Sequence, residues 1–221
     1  MHLLGLTATP TYHDQRRRGW LNELFPQGVK YQASVEQLMA AEILAKPIFE
    51  QPQRTEFTPN FDPEKYEKWV KTYRDLPENI ITQLAKSQER NEFIAKVYAE
   101  NREKYDKTII FADRWFQCEQ LKTFLERHGV KAGTIYSHVD ADPGSVDARN
   151  QRDQDENARV LAQFRRNEID VLINIRMLTE GTDVPEVQTV FLTRQTTSPI
   201  LLTQMIGRAL RGPKFGGTKD A

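Results

Sequence analysis

The chain has 221 residues, and its 31 lysines and arginines are balanced by 31 aspartates and glutamates. Zero formal net charge argues against a polybasic, nonspecific binder but permits a local basic groove, and the length suffices for one large domain or two small ones around a real core. A single cysteine, Cys118, excludes an intrachain disulfide and a multi-cysteine zinc site. With no apolar run of about 18 residues and no leader pattern, the chain reads as soluble and cytoplasmic, with no membrane partner.

Residues 2 to 6, HLLGL, are a short apolar run opening into polar TATP, the pattern of a buried strand entering a loop. Residues 11 to 30 carry Arg16 to Arg18 and predict a short helix ending near FPQG. SVEQLMAAEILA, 34 to 45, is helical in pattern, and KPIFEQ reads as a strand entry. Residues 51 to 106 are charged and helical. Within them Ile80, Ile81, Leu84, Phe93, Ile94, Val97 and Tyr98 form a candidate buried stripe.

From residue 107 strands and helices alternate. TIIFADR predicts a strand, WFQCEQLKTFLERHG a helix closed by Gly129, and VKAGTIYSH a second strand. A polar loop leads to ARVLAQFRRNE as helix, then IDVLINIRML and VQTVFLTR as strands. Apolar strands separated by helices predict an α/β fold with a parallel sheet covered on both faces. Ligands of such sheets gather at the carboxyl ends of the strands. That gathers Thr7 and Thr9, Asp113 and Arg114, Ser137 and His138, the TEGTDVP stretch at 179 to 185, and Arg194.

TQMIGRALRGP, 203 to 213, predicts a short helix begun by Ser198 and Pro199 and stopped by Gly212 and Pro213. Gln204, Gly207, Arg208 and Arg211 fall at i, i+3, i+4 and i+7 on one face, and Leu202, Met205, Ile206, Ala209 and Leu210 on the other. No carboxylate within the segment pairs with the two arginines. The plain alternative is the solvated side of an amphipathic helix. In TEGTDVP, Gly181 admits close backbone approach and Asp183 can accept from a pair of hydroxyls, although Gly and Asp before Pro185 also make an ordinary turn. No catalytic triad is evident, and the histidines lack metal-ligand spacing, so no metal ligands are assigned.

LGLTATP, TIIFADR, VLINIRMLTEGTDVP and QMIGRALRGP resemble, in order and approximate spacing, the motifs called three, four, five and six of superfamily II DNA and RNA helicases and translocases. The resemblance is to the bacterial group related to the XPB repair helicase and to restriction-enzyme motor subunits. It covers residues 1 to 10 and about 107 to 214, and it implies a RecA-like domain of the P-loop NTPase type. It makes Arg208 and Arg211 arginine fingers toward ATP on another domain, with Gln204 and Gly207 beside the nucleotide. Gly181 and Asp183 become nucleotide contacts, Asp183 toward the ribose. Thr7 and Thr9 become the coupling motif, and Arg114, Ser137, His138 and Thr179 contacts to a DNA or RNA backbone.

The chain departs from the family in having no G-x-x-x-x-G-K-[ST] loop and no D-E-x-H box, so ATP and Mg2+ are expected mainly on a missing N-terminal RecA-like domain. Residues 1 to 45 are expected to be the tail of that first motor domain and a linker. Residues 46 to 221 are expected to be the second, with a helical insertion at about 55 to 106. The chain alone is expected to be inactive as an ATPase. A restriction-system motor fragment and a non-catalytic nucleic-acid interaction module stay open as alternatives.

Overall fold

The computed structural model describes residues 23–73, 76–136, 154–175, 177–178, 184, 186–194 and 199–221. The strand expected at residues 2 to 6 lies outside them. In chain order the described helices are α1 (Val35–Ala40), α2 (Pro63–Tyr73), α3 (Glu78–Lys86), α4 (Gln88–Glu100), α5 (Arg102–Tyr105), α6 (Trp115–Arg127), α7 (Gln154–Arg165) and α8 (Pro199–Ile206). The strands are β1 (Thr108–Phe111), β2 (Ala132–Ile135), β3 (Val171–Asn174) and β4 (Thr189–Leu192).

All three strand pairings are parallel, in the order β2-β3-β1-β4, with Ile109 of β1 opposite Leu172 on one side and Val190 on the other. This is the α/β sheet expected from the Ile- and Val-rich runs. Alternation along β1 divides the core into two layers, because successive side chains point to opposite faces. Ile110 joins Ile173, Val171, Leu121, Leu125, Ile94 and Tyr98 on the face covered by α4 and α6. Ile109 and Phe111 join Leu172, Val160, Phe164 and Met205 on the face covered by α7 and α8. With both faces covered, β1, β2 and β3 are buried along their whole length, whereas β4 is half-exposed at the sheet edge.

The charged stretch expected as a helical insertion at about 55 to 106 breaks into α2, α3, α4 and α5. Ser87 ends α3 and caps α4, its hydroxyl accepting from Arg90 N at 3.2 Å, and Asn101 interrupts again before α5. Within this stretch α4 is a core helix of the sheet, with Ile94, Ala95 and Tyr98 buried.

Ser34 and Gln37 form a reciprocal capping box at the start of α1. The helix stops at Ala40 and does not continue to residue 45. Glu42 takes a left-handed φ of 58°, and from residue 43 onward the backbone turns to bond with the C-terminal tail.

Candidate functional site

The carboxyl ends of β1 and β4 bring together part of the expected site. Asp113 and Arg114 follow β1, and Thr193 and Arg194 follow β4. Asp113 and Arg194 have side chains only 6% and 8% exposed, with Arg194 Nε 3.9 Å from Asp113 Oδ1. Arg114 pairs with Glu78 of α3 and donates from Nη1 to its neighbour Asp113 O at 3.0 Å. Thr193 Oγ1 donates to Phe111 O at 2.8 Å, tying the end of β4 to the end of β1.

Two residues from the first turn of α4 fasten this corner, and neither stands out in the sequence. Arg90 Nη2 donates to Thr193 O, with the Asp113 carboxylate nearby. Burial pulls the Arg90 guanidinium below its ordinary value, and the Asp113 charge opposes that. Asn91 is fully buried; its Nδ2 donates to Ala85 O at 2.8 Å and to Gln120 Oε1 at 2.6 Å, and its Oδ1 accepts from Gln117 Nε2 at 3.2 Å. Gln117 Oε1 in turn accepts from Asp113 N at 2.9 Å. A chain of bonds thus runs from the α3–α4 corner through α6 to the backbone after β1. A buried amide chain of this kind is costly to break, since each orphaned group loses its bond without regaining water. Asn91→Ala is expected to lower the free energy of unfolding by about 2 kcal/mol, read as a shift of the urea midpoint. An unchanged midpoint would show that the chain of bonds contributes nothing.

At the end of β3, fully buried Asn174 donates from Nδ2 to Ile110 O at 3.2 Å and accepts from Leu178 N. It fixes the exit of the strand that precedes the TEGTDVP stretch. In the sequence it is a lone polar residue within the apolar run VLINI.

The arginine segment differs from its expected form. Helix α8 begins at Pro199 as expected but ends at Ile206, and residues 207–209 are turns. Arg208 N and Ala209 N bond to carbonyls three residues back, Met205 O at 3.2 Å and Ile206 O at 3.0 Å, which tightens the last turn after Gly207. Arg211 therefore leaves the helix and pairs in a bridge with Leu44, so the expected i to i+7 face is not what aligns Gln204 with Arg211. Met205 and Ala209 are buried as expected, but Leu202 is exposed. Gln204, Arg208 and Arg211 are half-buried and Gly207 is exposed. Thr7, Thr9, Ser137, His138, Thr179, Gly181 and Asp183 lie outside the described residues.

The helicase conserved C-terminal domain family matches residues 89–213, which begin in α4 and take in the four described strands and the arginine turn. The chain belongs to the helicase C-terminal domain family. That places α4, with Arg90 and Asn91, inside the domain as well as β1 to β4. Among relatives, the putative ATP-dependent helicase IRC3 of Saccharomyces cerevisiae is 29% identical over 133 residues, 59% of this chain and 17% of that protein. The putative mitochondrial ATP-dependent helicase irc3 of Schizosaccharomyces pombe is 44% identical over 69 residues, 30% of this chain and 11% of that protein. UvrABC system protein B of Colwellia psychrerythraea is 34% identical over 99 residues, 42% of this chain and 13% of that protein. The chain therefore spans less than a fifth of the length of each of these relatives. The solved DEAD box protein of Methanococcus jannaschii is 22% identical, with a TM-score of 0.45, over 58% of this chain and 32% of its own. Among the described residues, no helix of this helicase C-terminal domain is long and apolar enough to cross a membrane.

Proposed function

We propose that this chain is the second motor domain of an ATP-dependent nucleic-acid helicase or translocase, supplying Arg208 and Arg211 to ATP bound by a P-loop domain. The observation that carries the reading is the family match through residue 213, which includes the Q-x-x-G-R-x-x-R of 204 to 211. In this reading residues 1–45 are the tail of the first motor domain and the linker, and 46–221 the second domain. Gln204, Arg208 and Arg211 offer donors for phosphate oxygens and no carboxylate for a metal, so they fit the nucleotide and leave Mg2+ to the other domain. Gly181 and Asp183 complete the nucleotide contacts, and Gly207 leaves room beside the fingers. Thr7 and Thr9 couple hydrolysis to movement.

Nucleic acid is gripped by Arg114, Ser137, His138 and Thr179 through its backbone, without base reading. The buried corner beneath Arg114 supports this, because a bond from α6 holds the exit of β1 and a bond from α4 holds the exit of β4 beside it. Single-stranded DNA and RNA oligonucleotides test the grip. Binding to this chain is expected to be weak and to fall on the order of 10- to 100-fold between about 50 and 200 mM salt, with no ATP turnover by the chain alone. Tight binding indifferent to salt would overturn the backbone-contact reading, and turnover surviving rigorous purification would overturn the division of the ATP site.

A further inference from the structure

Two segments more than 150 residues apart are joined by backbone hydrogen bonds. Ala45 N donates to Leu210 O at 3.0 Å, Gly212 N to Ile43 O at 3.0 Å, Lys46 N to Lys219 O at 2.9 Å, and Ala221 N to Lys46 O at 2.9 Å. Leu44 bridges Arg211 in antiparallel fashion and Lys46 bridges Asp220 in parallel, so residues 42–48 lie between the two arms of the 210–221 tail. The tail folds back on itself through the short 3-10 turn at Pro213–Phe215 and left-handed Gly216, where Gly217 N donates to Gly212 O at 3.1 Å.

Two glycines in this strap are fixed by space. A Cβ on Gly212 would stand 2.3 Å from Glu42 O and 2.7 Å from Glu42 C. A Cβ on Gly217 would stand 1.8 Å from Arg211 O and 2.5 Å from Arg211 C. These are main-chain atoms already held by bonds on both sides, so the contact cannot be relieved by turning a side chain. A methyl at 217 has to push the Arg211 backbone itself, by about an ångström or more.

We infer that residues 42–48 and the 210–221 tail form one backbone strap that sets the position of Arg211, with Gly212 and Gly217 as its positioning residues. The inference rests on the reading of Arg211 as an arginine directed at ATP. It adds that the segment entering the second motor domain is the same segment that seats the arginine. A guanidinium stabilises a transferring phosphoryl group only from the correct place, and misplacement of about 1 Å costs up to about 100-fold. Displacement of the entering segment is therefore felt directly at Arg211, without passing through the sheet.

The test is steady-state ATP hydrolysis, stimulated by nucleic acid, in the full-length protein. Gly217→Ala and Gly212→Ala are expected to lower kcat by about 10- to 100-fold while the KM for ATP stays nearly constant. The double variant Gly217→Ala with Arg211→Ala is expected to be no slower than Arg211→Ala alone, because both changes remove one function. Lys46→Pro, at an exposed position, removes the N–H that bonds Lys219 O and also fixes the backbone there and restricts Ala45 before it. It is expected to lower kcat in the same sense and to speed amide exchange at Ala45 and Ala221, which keeps the inference testable if an alanine variant fails to fold. Full kcat in Gly217→Ala and Lys46→Pro beside an inactive Arg211→Ala overturns the strap alone. Losses that multiply in the double variant overturn it too, since the glycine then acts elsewhere. Full activity in Arg211→Ala overturns both the strap and the reading beneath it.

Discussion

Arg208→Ala and Arg211→Ala are each expected to lower nucleic-acid-stimulated ATP turnover in the full-length protein by about a thousandfold, or ~4 kcal/mol of transition-state stabilisation. The size follows from what the groups do. Charge spreads over the transferred phosphoryl oxygens only as the bond breaks, so a donor fixed beside them contributes little to binding and much to the barrier. The KM for ATP should therefore move far less than kcat. Lysine at either position is expected to restore little, because a single ammonium cannot reproduce the planar fork of donors. The half-buried setting of both arginines favours the effect, since a guanidinium waving in solvent would lose rotamer freedom on every turnover. Their seats differ, however. Arg208 sits in the tightened turn that follows α8, and Arg211 in the bridge with Leu44. Changes in the 42–48 segment should thus resemble Arg211→Ala more than Arg208→Ala. Undiminished turnover in both variants would make them surface residues and remove the arginine assignment.

The sheet was legible in the sequence because its strands are short apolar runs rich in Ile and Val between amphipathic helices, and β1 and β3 are buried on both faces. The family resemblance was legible from the polar residues that close those strands. The end of α8 was not, because Gly207 is compatible with a helix or a turn and the choice is made elsewhere. Leu210 O and Gly212 N are engaged by Ala45 and Ile43, a pairing with no local signature. Asn91 and Arg90 were missed for a related reason. On a helix full of charge they read as solvent-facing, yet the α3–α4 corner at Ser87 turns them toward α6 and the end of β4. Pattern reveals which residues prefer to be buried, but not which polar residues the packing will make indispensable.

Phe164→Ala is expected to destabilise the domain by about 3–5 kcal/mol, the range for deleting a buried aromatic ring. Phe164 is fully buried on α7 and packs in the layer that holds Ile109, Phe111 and Leu172 of the two central strands. Its loss leaves a void that a sheet fixed by parallel pairings on both sides of β1 cannot close. The ring also serves a charge. Lys107 Nζ lies 5.0 Å from its centroid, on a side chain only 7% exposed, with Asn167 Oδ1 at 2.5 Å and Glu186 Oε2 at 3.6 Å. Burial holds the Lys107 ammonium below its ordinary pKa and Glu186 opposes that, so the aromatic face is one of few compensations for a desolvated cation. Combining Phe164→Ala with Lys107→Met separates the two roles. If the ring only fills space, the losses add; if it also faces the cation, the pair couples by about 1 kcal/mol in a urea-unfolding cycle. A loss below about 1 kcal/mol for Phe164→Ala alone would contradict its place in the core. Because α7 leads into β3 and so to Asn174, loosening here should also raise amide exchange at Leu178, whose N–H bonds Asn174 Oδ1, before the domain unfolds as a whole.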